Sequence, residues 1–144
     1  MGMAGAAPFY EHFEHQADMG VRGLGRTCEE AFEQAALALT AVVVPLELVE
    51  AKQSVTVRCA AADVELLLLD WLNAVVYQMS ASRMIFRRFK VHLEGGRVEG
   101  ELFGEGLDVE RHQPGVEVKA ATATALRVAR LPDGMWLAQL VVDV

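Results

Sequence analysis

The chain has 144 residues, of which 53% are hydrophobic and 23% charged, the balance of one ordinary globular domain. That composition excludes disorder, collagen-like and coiled-coil architectures. Thirteen basic residues against twenty acidic ones leave a net charge of −7, which excludes nucleic-acid binding by bulk electrostatics.

Met1 to Pro8 are small and apolar and read as a loose tail, leaving residues 9–144 as a single domain. Phe9 to Phe13 and Met19 to Gly23 suit two short strands. Thr27 stands three residues before Glu30, the capping-box spacing, and opens a helix whose buried stripe is Ala31, Phe32, Ala35, Ala36 and Leu39. Pro45 closes that region. Gln53 to Cys59 alternates, with Val55, Val57 and Cys59 facing inward, as in a half-buried strand. Asp63 caps a second helix running to about Met79, apolar around most of its girth. Met84 to Leu93 and Arg97 to Phe103 form a hairpin around Gly95-Gly96. Asp108 to Pro114 reads as a polar loop with room for one helical turn, and Val116 to Val128 as a further strand region. Pro132-Asp133-Gly134 makes a turn into a last strand from Met135, whose Leu140-Val141-Val142 run demands burial on both faces and a central position. The sum is an α+β fold: a two-layer, largely antiparallel or mixed sheet with two main helices packed on one face.

No apolar run is long enough to span a membrane, no charged leader precedes Phe9, and Cys28 and Cys59 make neither a disulfide framework nor a zinc site. The cytoplasm is the expected location.

Four clusters could carry chemistry. The last strand ends in Asp143-Val144, setting a side-chain carboxylate beside the main-chain one; oxygen ligands of this kind suit Ca²⁺, Mg²⁺ or Mn²⁺. Glu14-His15-Gln16-Ala17-Asp18 holds three ligands or proton carriers in five residues. In an extended segment Glu14 and Asp18 share a side while His15 points elsewhere. Glu117 and Lys119 share a side if their segment is a strand, the lysine being placed to neutralise carboxylates or contact a phosphate. Arg83, Arg87, Arg88 and Lys90, interleaved with Phe86 and Phe89, could dock an acidic partner or an RNA backbone. Each has a plainer reading as a solvated end, a polar turn, a cross-strand ion pair and a solvated strand face. No phosphate-binding loop, nucleophile elbow or Cys–His pair is present, so no catalytic residue is expected.

Taken in order, Tyr10 through Phe13 leading into Glu14-His15-Gln16-Ala17-Asp18-Met19-Gly20, Thr27-Cys28-Glu29-Glu30-Ala31-Phe32, Leu68-Leu69-Asp70-Trp71-Leu72-Asn73, Gly104-Glu105 with Asp108 and His112, Glu117-Val118-Lys119-Ala120 and the ending Val142-Asp143-Val144 resemble the archease family. The resemblance covers nearly all the chain after Pro8. It implies a non-catalytic cofactor of the RtcB-type RNA ligase, which joins 2′,3′-cyclic-phosphate or 3′-phosphate ends to 5′-hydroxyls using GTP, divalent metal and a guanylylated histidine. Archease would speed formation of the ligase–GMP intermediate and permit many turnovers. The resemblance also implies a divalent cation, Ca²⁺ or Mg²⁺/Mn²⁺, at Asp18, Asp143 and the carboxylate of Val144. It implies functional roles for Lys119 and, behind the metal ligands, for His15 and Glu14, with no stable nucleic-acid or membrane partner. Two departures stand out: Gln16 replaces a usual Thr, and Thr122-Ala123-Thr124 replaces Thr-Tyr-His, which bears on partner contact. An alternative from another class is a general chaperone or adaptor domain for RNA-modifying enzymes, using the Arg83–Lys90 surface. A third reading, a metal-dependent hydrolase, lacks a nameable general base.

Overall fold

The computed structural model describes residues 6–144. The tail expected at Met1–Pro8 lies mostly outside the described residues, and its described part, 6–8, has no regular structure. The element order is β1 (Phe9–His15), β2 (Asp18–Gly25), α1 (Cys28–Val43), a 3₁₀ turn (Leu46–Leu48), β3 (Gln53–Ala60), α2 (Val64–Ala81), β4 (Met84–Glu94), β5 (Arg97–Gly106), α3 (Val109–His112), β6 (Ala120–Arg130) and β7 (Trp136–Asp143).

The α+β class and the antiparallel pairing hold, and the strands divide between two sheets. One has the order β1-β2-β7-β6 and the other β3-β5-β4. As its apolar run requires, β7 is central, with Leu140, Val141 and Val142 all buried. The strand expected over 116–128 starts later, at Ala120. Pro114 and Gly115 interrupt the pattern, and the Gly115 N–H donates instead to the Val43 carbonyl at the end of α1, 2.7 Å away. Glu117 and Lys119 are therefore not strand neighbours.

Both helix starts follow the side-chain chemistry. Thr27 Oγ1 accepts the Glu30 N–H at 3.1 Å, and Asp63 accepts the Leu66 N–H at 2.9 Å. The Glu30 carboxylate reaches one residue further back than a capping box requires, to the Arg26 N–H. The second helix does not bury its whole apolar girth: Leu66 is 42% exposed, while Leu67, Leu68, Trp71, Leu72, Val75 and Val76 carry the core.

Each helix serves both sheets. α1 lies on the face of the first, where β2 comes so close that a Cβ on Gly23 would strike the Ala31 carbonyl and the Ala35 nitrogen. Its Glu33 and Glu29 carboxylates accept the outward N–H groups of Val91 and Leu93 on β4, at 2.9 and 3.2 Å. α2 lies on the second sheet, its Trp71 ring over Gly100 and edge-on to Phe89. Its Glu65 accepts the Val128 N–H of β6 at 3.2 Å, and Asn73 bonds both peptide groups of Ala121, at 2.9 and 3.1 Å. The indole N–H of Trp71 donates to the Phe32 carbonyl, tying the two helices together.

Candidate functional site

Four strand ends converge at one end of the first sheet. β1 and β2 are joined by Gln16 and Ala17, with Gln16 in the left-handed region (φ 53°), and this turn sets His15 directly across from Asp18. β2 and β7 pair Met19 with Val142, so the register continues to Asp18 beside Asp143. β6 and β7 pair Ala120 with Asp143, and the Lys119 N–H donates to the Asp143 carbonyl at 2.8 Å. Asn73 grips Ala121 from α2 and so fixes the start of β6 beside this end.

Residues directly opposite one another in a sheet project to the same side. His15, Asp18 and Asp143 therefore form one row on the face away from α1, while Met19, Val142 and Ala121 in the next row face the core. Glu14 alternates to the other side. This reverses the extended-segment expectation: the chain turns between Glu14 and Asp18, so His15 rather than Glu14 shares the aspartate's face. Asp18 is half-buried, and Asp143 and Lys119 are exposed. Next to the row, Phe13 lies on Gly20, and Arg22 stacks 4.6 Å above Phe13 while bonding Glu11 and Gln139 at 2.8 Å each.

Among the described residues, neither the Asp18 nor the Asp143 side chain has a hydrogen-bond or ion-pair partner. Two adjacent carboxylates without a cation repel, and their oxygens are the donor type of hard divalent ions. The pair fits such an ion but does not complete its shell of about six to eight oxygens. Among the described residues no three His, Cys, Asp or Glu side chains form a metal-holding group, so the pair alone does not make a complete site.

Glu105 and His112, which stand among the motifs of the family resemblance without a site role, form a second cluster. Glu105 is 5% exposed and His112 fully buried. Glu105 Oε2 accepts the Glu50 N–H at 2.7 Å and the His112 Nε2–H at 2.9 Å, and Oε1 meets the Arg111 guanidinium, with Lys52 Nζ 3.7 Å away. His112 Nδ1 accepts the Asp108 N–H at 2.8 Å, which assigns the proton to Nε2. Burial pushes the Glu105 carboxyl up, but the Glu50 N–H, His112 and Arg111 together outweigh it and hold the group down at about 2. Every donor and acceptor here is used, which marks the cluster as a latch tying α3 to β5 and the 3₁₀ turn rather than as a reacting site. A glutamate in a Gly-Glu-Gly stretch and a histidine in a four-residue turn carry no periodic signal in the sequence.

The basic run resolves differently from its sequence. A bulge between Phe86 and Arg88 turns both Phe86 and Phe89 inward and leaves Arg87 and Arg88 outside, with Arg88 stacked 4.0 Å from the Phe103 ring centre. The two phenylalanines are not available for stacking on bases. A concavity of about 730 Å³ on the second sheet, lined by Arg58, His92, Arg97 and Glu99 among others, includes none of the acidic row. Burial pushes the Cys28 thiol up to about 11, with Glu29 adding to it, and raises Cys59 as well, so neither is an activated nucleophile.

Comparison with known proteins gives the family. The Archease protein family (MTH1598/TM1083) matches residues 10–144. The chain belongs to the archease family. Protein archease of Pyrococcus furiosus is 42% identical over 139 residues, which is 94% of this chain and 98% of that one. Protein archease of Methanosarcina barkeri is 33% identical over 140 residues, covering 94% and 95%. Among solved structures, the solution structure of Methanobacterium thermoautotrophicum protein 1598 matches with a TM-score of 0.82 and 32% identity, over 99% of this chain and all of that one. The archease fold is thus shared across the whole length, including both ends that build the acidic row. Among the described residues no helix is long and apolar enough to cross a membrane.

Proposed function

We propose that this archease-family protein is a non-catalytic activator of an RtcB-type RNA ligase, working through a divalent cation held at the acidic row. Asp18 and Asp143 are the side-chain ligands, joined by the Val144 carboxylate. Lys119, fixed by its main-chain bond to Asp143, contacts the ligase or a phosphate there, and His15 orients Asp18 from across the hairpin. Glu14, on the opposite side of its strand, has the weakest claim to a role. The observation that carries the reading is the register, which brings Asp18 and Asp143 side by side from positions 125 residues apart in sequence (143 less 18). When bound, the cation supplies positive charge that can be presented to, or exchanged with, a metal-dependent partner site. Binding that favours the guanylylation-competent state of the ligase is sufficient to activate it.

The test is turnover of the cognate ligase on a 3′-phosphate RNA with GTP and Mn²⁺, with and without substoichiometric protein. Wild type should raise turnover, and Asp143→Asn should abolish the effect while keeping the native circular-dichroism spectrum. An Asp143→Asn protein that stimulates like wild type removes the metal from the mechanism. A second reading, an adaptor for RNA-modifying enzymes, draws on the exposure of Arg87, Arg88 and Lys90 on one strand. It requires Arg87→Glu to harm partner binding more than Asp143→Asn does.

A further inference from the structure

The two sheets have four lateral strands, and their outer edges are treated unequally. Side chains of α1 close β4 and side chains of α2 close β6, as described above. β1 carries Glu11, His12, Glu14 and His15, a charged edge that discourages pairing. β3 has neither protection. Its sequence is Gln-Ser-Val-Thr-Val-Arg-Cys-Ala, rich in β-branched residues and free of proline. Its single charge, Arg58, is already paired with Glu99 of the neighbouring strand at 2.8 Å.

The ladder shows which peptide groups are open. The Ala61 N–H donates to the Gly96 carbonyl at 3.0 Å, so hydrogen-bonded pairs alternate back through Cys59, Val57, Val55 and Gln53. Ser54, Thr56 and Arg58 lie between them and aim their N–H and C=O groups outward. Among the described residues none of these groups has a partner.

We propose that β3 pairs antiparallel with β3 of a second copy of this chain, with the two-fold axis at Thr56. This register uses the open groups of Ser54, Thr56 and Arg58 in about six main-chain hydrogen bonds. On the α2 side it sets Val55 of one copy against Val57 of the other, covering side chains that remain half-buried in the single chain. On the outer side it sets Arg58 opposite Ser54, with no like charges facing each other. A register centred on Arg58 would oppose two guanidinium groups. The second copy is favoured as the occupant because the strand complements itself on both faces. The joined sheets would form one continuous six-stranded sheet from two three-stranded ones.

The experiment is sedimentation velocity over a wide range of protein concentration, on wild type, Thr56→Pro and Thr56→Lys. Proline at 56 removes an outward donor and no bond to β5, and lysine there meets its own copy at the axis while Glu101 accommodates it within the chain. Wild type should dimerise with rising concentration. Each variant should weaken association by about tenfold or more, which is ~1.4 kcal/mol, with an unchanged thermal midpoint for at least the lysine variant. Amide exchange at Ser54, Thr56 and Arg58 should slow as wild-type concentration rises. A wild-type chain that stays monomeric throughout, or a dimer that both variants leave intact, overturns the proposal. The acidic row lies on the other sheet, so ligase activation does not decide this result.

Discussion

Replacing Glu105 with Gln should expose how much stability a buried carboxylate supplies here, and in which pH range. The wild-type group is held at about 2 instead of the ordinary 4.5, a gap that corresponds to about 3 kcal/mol of preference for the charged form in the folded protein. The sign follows from the depression. Above about pH 4.5 the group is ionised in both folded and unfolded chains, and its full contribution is present. As pH falls towards 2 the unfolded chain takes up the proton first, and the contribution drains away. Glutamine keeps the shape and one acceptor. Its NH₂ group faces donors whichever oxygen it replaces, Arg111 and Lys52 on the Oε1 side or the Glu50 N–H and His112 Nε2–H on the Oε2 side. At neutral pH the variant should therefore lose about 3–5 kcal/mol, the usual cost of removing one partner from a buried charge pair, a large share of a domain stability of about 5–15 kcal/mol. Urea denaturation of both proteins from neutral pH to about pH 3 should show the gap between them steady above about pH 4.5 and narrowing as pH falls below it. A gap that stays constant over that range refutes the argument, because it would place the loss in packing and not in the carboxylate's charge.

Other perturbations test the frame around the site. Gly23→Ala should lower stability by about 1–3 kcal/mol or more, read as a fall in thermal midpoint, because the new methyl meets α1 backbone that has no room to give. Asn73→Ala should cost about 1–3 kcal/mol by leaving both Ala121 peptide groups unpaired. It should also speed amide exchange at Ala121 more than at Val98 in the other sheet. Trp71→Phe should cost about 1 kcal/mol from the lost bond to the Phe32 carbonyl, beyond any change in packing, as measured by chemical denaturation.

Much of the frame could be read from local chemistry. Thr27 and Asp63 announced both helices, Gly95-Gly96 announced the β4–β5 hairpin, and the unbroken Leu140-Val141-Val142 run placed β7 at the centre. These signals act within a few residues, where sequence spacing and spatial spacing agree. The division into two sheets was not legible, because alternation says which face is buried and not which strand lies alongside. The same limit explains His15: its side depends on where the chain turns, and Gln16-Ala17 is a turn without glycine to mark it. Glu105 and His112 belong to the motifs of the resemblance, but their burial against each other was hidden for a further reason. Their neutralisers arrive from Glu50, Lys52 and Arg111, and nothing local signals that an isolated acid will be buried. Asp18 and Asp143 came to notice together through a family resemblance. Their adjacency is a matter of register, which the hydrophobic pattern of β2 and β7 sets only once the two strands are known to pair.

The crossed arrangement of the helices has a consequence for how the molecule comes apart. A strand edge closed by Glu29 and Glu33 is lost when the first sheet releases α1, and the edge closed by Glu65 and Asn73 is lost when the second releases α2. Each half is thus the other's lid, and neither can loosen without leaving the other with bare peptide groups. Breathing motions should stay confined to the hairpin tips, and heat should melt both sheets in one step. The acidic row lies at one of those tips, where β1 turns into β2 and β7 ends, so its two carboxylates keep freedom to adjust while the sheet behind them holds.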